Sequence, residues 1–345
     1  MEDEELTRND NQETIQIDKA ESAAEMKTAP VESAPVESAP AESAPAGSAQ
    51  KPAKTIPQII FGSAIWTCIL AYVLLDIGQI IGFLTALALG MQNSDLGMTA
   101  GMYFSFAGIW VVFFLNALLK KNRPLFKAYG TGCKGNNALN LLIGLLIGAG
   151  MNGALILMAW MHGDIHVYFD KIEIVPFIIL FVAVFVQSAA EEIVCRGFVY
   201  QRVLRTYRDK FWLAVIVNSV FFAALHLGNE GVSPMAIVDL TVSGLLFSAA
   251  VYYFDSLWMA MAVHTGWNFT QSILAGLPNS GNVVPYSVFK LDAATARDSF
   301  FYNVAFGVEG TIPAILIQVV VLAALVMIGR KIGGRPTDIW REEEA

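Results

Sequence analysis

Charge is scarce in this chain, and cysteine scarcer. Only 15% of its 345 residues are Asp, Glu, Lys or Arg, while 55% are hydrophobic. Soluble domains carry about 25% charged residues, so the shortage excludes an ordinary water-soluble enzyme. Cys68, Cys133 and Cys195 are too few and too widely spaced for a disulfide framework or a zinc knuckle. Basic residues are also in deficit. The 22 Lys and Arg stand against 30 Asp and Glu, a net charge of −8, which excludes nucleic acid as a partner. The opening MEDEELTRND has neither the basic start nor the early apolar run of a secretory signal.

The acidity is local. Residues 1–54 hold 12 acids and 5 bases, and the remaining 291 residues are nearly neutral. Between Ala29 and Ser48 the tail repeats APVES, APVES, APAES, APAGS. Proline every fifth residue prevents a helix, and Ala, Ser and Glu bury too little surface to fold. Residues 1–54 are therefore expected to be a disordered acidic tail. Residues 55–335 read as an integral membrane domain, with its chemistry in 174–276, and 336–345 as a short terminal tail.

A spanning helix needs about 20 mostly apolar residues. Eight stretches qualify, near 57–90, 97–119, 138–160, 174–200, 211–228, 235–254, 257–276 and 311–329. They predict an all-α polytopic membrane protein. An even number of spans puts both termini on one side. Fifteen Lys and Arg then share that side, including Lys51, Lys54 and the groups at 120–134, 202–210 and 330–341. Only Lys171, Lys290 and Arg297 face the other. The positive-inside rule predicts that both termini are cytoplasmic in a cell membrane.

Ionisable groups inside a bilayer are costly and mark function. Here most of them concentrate in three stretches: QSAAEEIVCRG from Gln187, NSVFFAALH ending at His226, and HTGWN from His264. On a helix Glu192 and Arg196 are four residues apart and can pair. Gln187, Glu191 and Cys195 form a second stripe, turned by about 100°. Arg196 is expected to neutralise Glu192, and Glu191 to face a cavity where a carboxylate can move protons. The bland alternative is one buried ion network that only fixes packing. Phe222 and His226 share a helix face, as do His264 and Asn268. Glu and two His on three helices fit a zinc site with one open position, the metal ligands being Glu191, His226 and His264. They fit equally a metal-free scheme, in which Glu191 and a histidine polarise water and Asn268 stabilises the oxyanion.

The three motifs, E-E-x-x-x-R at Glu191, Glu192 and Arg196, F-x-x-x-H at Phe222 and His226, and H-x-x-x-N at His264 and Asn268, together resemble the CAAX protease and bacteriocin-processing family. That family of intramembrane proteases is related to the Ras-converting CAAX endopeptidase. The resemblance implies about eight transmembrane helices around a cytoplasm-facing catalytic cavity. It implies that Glu191 activates water, His226 and His264 polarise it or hold a divalent metal such as zinc, and Asn268 stabilises the oxyanion. Glu192, Arg196 and Phe222 would support them. The implied substrate is a peptide or membrane protein with a CAAX-like tail or a bacteriocin-type sequence. Cys195 departs from the aromatic common before the arginine, and its place beside the site makes it a target for thiol reagents. The rival readings are a non-catalytic scaffold or immunity protein and a proton-coupled transporter, although the two halves show no internal symmetry.

Straight-helix arithmetic puts Glu191 and His264 at similar depth but His226 about 10 Å further out. Of the remaining polar residues, Asp76 and Gln79 can line the cavity or pair across helices, and Asp239 has the same two options with cavity exposure preferred. Gly144 and Gly148 read as a close-packing motif. His162 and His166 around Asp164 read as loop polarity rather than a second metal site. The 277–310 segment is a long loop.

Overall fold

The computed structural model describes residues 63–341. The acidic tail with its repeats, Lys51, Lys54, the start of the first predicted span and residues 342–345 lie outside the described residues.

Six of the helices begin where a small polar side chain accepts from an otherwise unpaired backbone N–H, whereas the longest, Ile174–Thr206, begins after Glu173 without such a bond. The Ser63 hydroxyl caps α1 (Ala64–Ala88) and Ser94 caps α2 (Asp95–Phe104). After a bend at Ser105 the chain continues as α3 (Ala107–Leu118), and one turn of α4 (Leu125–Tyr129) follows. Asn137 caps α5 (Ala138–His162), which Gly163 ends in the left-handed conformation at φ 78°. α6 (Ile174–Thr206) runs for 33 residues, α7 (Phe211–Ala224) for 14. Ser233 caps α8 (Pro234–Phe254), Ser256 caps α9 (Leu257–Asn268), and Thr311 caps α10 (Ile312–Lys331). Two short strands, β1 (Val167–Phe169) and β2 (Phe289–Leu291), pair antiparallel with Tyr168 opposite Lys290.

The architecture is an all-α polytopic membrane bundle. Among the described residues, six helical stretches are long and apolar enough to cross a bilayer: α1, α2 with α3, α5, α6, α8 and α10. The other two predicted spans are shorter. α7 ends at Ala224, and α9 reaches Leu274 only through the π-helical turn Phe269–Leu274. Large apolar side chains face outward along the long helices, among them Ile65, Ile80, Leu146, Ile178, Val320 and Met327. Such a belt suits lipid rather than water.

Side-chain contacts define the two ends of the bundle. At one end Arg202 donates to Asn122, Arg208 pairs with Asp338, and Trp340 donates to the Gln201 carbonyl. This is the basic end. At the other end the fully buried Asp164 accepts from Ser299 Oγ at 2.6 Å and Arg297 Nε at 3.3 Å, and contacts His162 Nδ1 at 2.9 Å. Burial works against the Asp164 charge, but Ser299, His162 and Arg297 together hold its carboxyl below the usual carboxylate range. The 277–310 segment is thus no free loop. The strand pair and the Asp164 hub fasten it across this end of the bundle.

The motif of Gly144 and Gly148 lets α5 lie against α9. A Cβ at Gly144 would come within 2.6 Å of the Met259 carbonyl oxygen, and one at Gly148 would collide with that of Val263, the residue before His264. Gly148→Ala is therefore expected to push α9 outward, cost about 1–3 kcal/mol of stability by overpacking, seen as a lower melting temperature of the detergent-solubilised protein, and impair the site. Gly150, whose Cβ would meet nothing within 4 Å, is the control; equal loss in Gly150→Ala would remove the close-packing explanation.

Candidate active site

Two helices widen into π turns directly after their polar motifs. In α6 the turn is Ile193–Tyr200, immediately after Glu192; in α9 it is Phe269–Leu274, immediately after Asn268. Such bulges shift the side-chain register and recur at functional sites. They bring Glu191, Glu192 and Arg196 of α6 against His264 and Asn268 of α9.

Glu192 is fully buried, and its Oε1 accepts from Arg196 Nη1 at 3.0 Å. The same oxygen lies 3.1 Å from His264 Nδ1. An ionised carboxylate only accepts, so His264 carries its proton on Nδ1 and leaves Nε2 as an acceptor. Arg196 also donates to the Gly244 carbonyl at 3.2 Å, and its guanidinium lies over the Phe222 and Phe247 rings at 4.6 and 5.0 Å. Those contacts share out a charge that could not otherwise be buried. The spacing of residues 192 and 196 makes this ion pair visible in the sequence; the long-range bond to His264 is not.

Glu191 Oε1 accepts from Gln187 Nε2. Its Oε2 is buried, has no hydrogen-bond partner, and lies 3.9 Å from His264 Nε2. The carboxylate sets the direction of a chain of amides. Gln187 must offer its N–H to Glu191, so its Oε1 accepts from Asn268 Nδ2 at 3.0 Å. Asn268 Oδ1 then accepts from Asn279 Nδ2 at 3.2 Å. The second Asn268 hydrogen points to Ser188 Oγ at 3.4 Å. The donors of Asn268 are thus engaged within the wall, whereas Asn279 retains one amide hydrogen.

These groups line a cavity of about 640 Å³. Met91, Gln92, Asn279 and Asn282 contribute at the end opposite the basic loops, and no lining residue comes from those loops. The cavity therefore reaches the end away from the basic residues, whereas the resemblance implies an opening toward them.

His226 departs from its expected place. The helix stops at Ala224, so the ring stands on a turn beyond α7. Its Nδ1 lies 2.8 Å from the Phe222 carbonyl oxygen, which can only accept, so Nε2 is again free. The Phe222 ring lies 4.9 Å from the His226 ring and 5.8 Å from the His264 ring. His226 thus shares the cavity, one aromatic ring away from the glutamates' partner. The predicted span 211–228 thus begins where α7 begins and runs four residues past its end.

The ligand set proposed for zinc can be tested on these distances. Donors bound tetrahedrally at about 2.0–2.1 Å lie about 3.3 Å apart. Glu191 Oε2 and His264 Nε2 are wider than that, at 3.9 Å. Among the described residues no group of three His, Cys, Asp or Glu is close enough to hold a metal ion. The residues as placed do not fit the ion.

Other expectations change. Asp239 avoids the cavity: its carboxylate accepts from Gly310 N at 3.0 Å and Gln318 Nε2 at 2.9 Å, buried between α8 and α10. Asp76 and Gln79 do line the cavity. Cys195 is fully buried, out of reach of thiol reagents in the folded protein. His162 binds Asp164 in the loop hub. Sequence reasoning also missed Glu309, which accepts from Trp267 Nε1 at 2.7 Å and from Ser280 N and Oγ at 2.6 and 2.8 Å. Burial pushes its carboxyl up against the lowering effect of those donors. It clamps the turn bearing Asn279, and Asn229, three residues after His226, donates to the Ser280 carbonyl at 2.8 Å. No local spacing announces a glutamate in a polar connection.

Residues 173–270 match the family model described as type II CAAX prenyl endopeptidase Rce1-like. No curated protein and no solved structure matches the chain. The matched stretch runs from α6 into the π turn after α9 and holds all seven residues of the three motifs. Asp76, Asn279 and Glu309 fall outside it. Residues 173–270, the part of the bundle that builds the acid and imidazole site, are thus the part of the chain that resembles the Rce1-like endopeptidases.

Proposed function

We propose that the chain is an intramembrane endopeptidase in which Glu191 and His264 hold the hydrolytic water between them. The observation that carries this reading is the pair of free acceptors, Glu191 Oε2 and His264 Nε2, 3.9 Å apart on a cavity wall. Two acceptors at that spacing can share one water about 2.8 Å from each once a small side-chain shift uncovers Glu191 Oε2. It donates one hydrogen to each and keeps its lone pairs for a carbonyl carbon. As the C–O bond forms, Glu191 takes the water's proton and the carbonyl electrons move to oxygen. The free amide hydrogen of Asn279 is available to that oxygen, and His226 can donate to it when protonated. On collapse the C–N bond breaks, Glu191 returns the proton to the departing nitrogen, and the products are a carboxylate and an amine.

Glu192 positions His264 by fixing its tautomer, and Arg196 with Phe222 supports Glu192. Asn268 acts at one remove, by orienting Gln187 and Asn279. The substrate is a peptide or membrane protein reached within the bilayer, and the 15-to-3 split of basic residues supports cytoplasmic termini.

The test uses purified protein in phosphatidylcholine vesicles, with a farnesylated CAAX peptide and, separately, an unprenylated randomised peptide mixture. The wild type is expected to release new amino termini from at least one, and His264→Ala to release none above background. Undiminished cleavage by a folded His264→Ala protein would overturn the reading. Loss of activity on chelation, restored by zinc, would replace the metal-free scheme.

A further inference from the structure

The cavity has three carboxylates, Asp76, Glu191 and Glu309, and no Lys or Arg among its lining residues. Glu309 is occupied by Trp267 and Ser280. Glu191 keeps Oε2 unpartnered although the residue is only 9% exposed. Asp76 lies near the middle of the 25-residue apolar α1 and has no hydrogen bond or ion pair among the described residues. A carboxylate at such a place is costly unless something pairs with it. One turn further, Gln79 donates through Nε2 to Ser105 Oγ at 2.9 Å, and its Oε1 is buried without a partner. Asp76, exposed on α1, and Gln79 one turn away thus both line the cavity, and it is the carboxylate that is open to a ligand.

An ammonium or guanidinium supplies several donors to such a carboxylate. Its aliphatic stem can lie along apolar wall residues such as Phe83 and Met98. A substrate carboxylate, whether of Asp, Glu or a free carboxyl terminus, would meet three acids and no fixed cation. We infer that the cavity takes a polypeptide segment carrying a Lys or Arg near the scissile bond, and that Asp76 receives the cation. The inference rests on the endopeptidase reading for the word scissile, but the cation site itself can be measured by binding.

Three fluorescent peptides of one apolar sequence, differing only by a central Lys, Gln or Glu, are titrated into purified Glu191→Gln protein in nanodiscs, where cleavage does not interfere. The Lys peptide is expected to bind at least about tenfold more tightly than the Glu peptide, a difference of about 1.4 kcal/mol. Adding Asp76→Asn should bring the two within about twofold of each other, and Asp76→Lys should reverse the order. Equal binding of the Lys and Glu peptides, or a preference unchanged by both Asp76 variants, overturns the inference. The same peptides given to the wild type separate it from the enzymatic reading. Preferential binding without cleavage defeats the peptidase alone, and cleavage without charge preference defeats the cation site alone.

Discussion

Glu191→Gln is expected to slow peptide-bond hydrolysis by about 10²–10⁴-fold, the usual contribution of a positioned general base. Glutamine keeps the shape of the side chain but cannot take a proton from water. Its carboxamide also alters the direction of the amide chain, because an N–H now competes for the position that accepted from Gln187. Folding should survive, since Oε2 has no protein partner to lose. Single-turnover cleavage in vesicles, measured beside the melting temperature, checks both halves. A variant with wild-type rate would place the base elsewhere.

The second large effect lies one residue further on. Removing Glu192 leaves Arg196 fully buried and without its counter-ion. Loss of one partner from a buried pair costs about 3–5 kcal/mol, so Glu192→Ala should unfold at markedly lower temperature or fail to accumulate. Replacing both residues, as Glu192→Leu with Arg196→Leu, removes the orphaned charge and should recover much of that stability. Activity should stay low in the double variant, because His264 loses the group that fixes its Nδ1 proton. Recovery of both stability and activity would mean that the acid and arginine serve packing alone.

The sequence reveals what depends on local spacing. The four-residue steps from Glu192 to Arg196 and from Gln187 to Glu191 correspond to bonded pairs in the structure, because both neighbours ride on one helix. The same step also holds at Phe222 and His226, whose rings lie 4.9 Å apart, although the helix does not carry on through it. The apolar pattern runs on, but α7 ends at Ala224 and the ring is held instead by a bond to the Phe222 carbonyl. Gly228 and Gly231 signal a turn there only after the helix has stopped. Contacts between distant segments leave no periodic trace. Glu192 meets His264 across 72 residues, and Trp267 meets Glu309 across 42. Asn279 joins the site because Glu309 and Asn229 hold the Ser280 turn over the cavity, and no pattern in a polar connection encodes that closure. The sequence leaves Asp239 open between lining the cavity and pairing across helices for a related reason. A helix position can face either of two neighbours, and the partners that decided, Gly310 and Gln318, come about seventy to eighty residues later.

The central claim is that water held by Glu191 and His264 attacks the peptide bond directly. The most direct test is acid-quenched single-turnover cleavage in ¹⁸O-labelled water, with intact-mass analysis of enzyme and products. Direct attack predicts that the new carboxyl terminus gains one ¹⁸O from solvent, that no substrate fragment is attached to the protein at any quench time, and that Glu191→Gln forms product only at a rate reduced by about 10²–10⁴-fold, without an adduct. A fragment covalently bound to the protein, appearing before the free product and persisting in Glu191→Gln, would contradict the account.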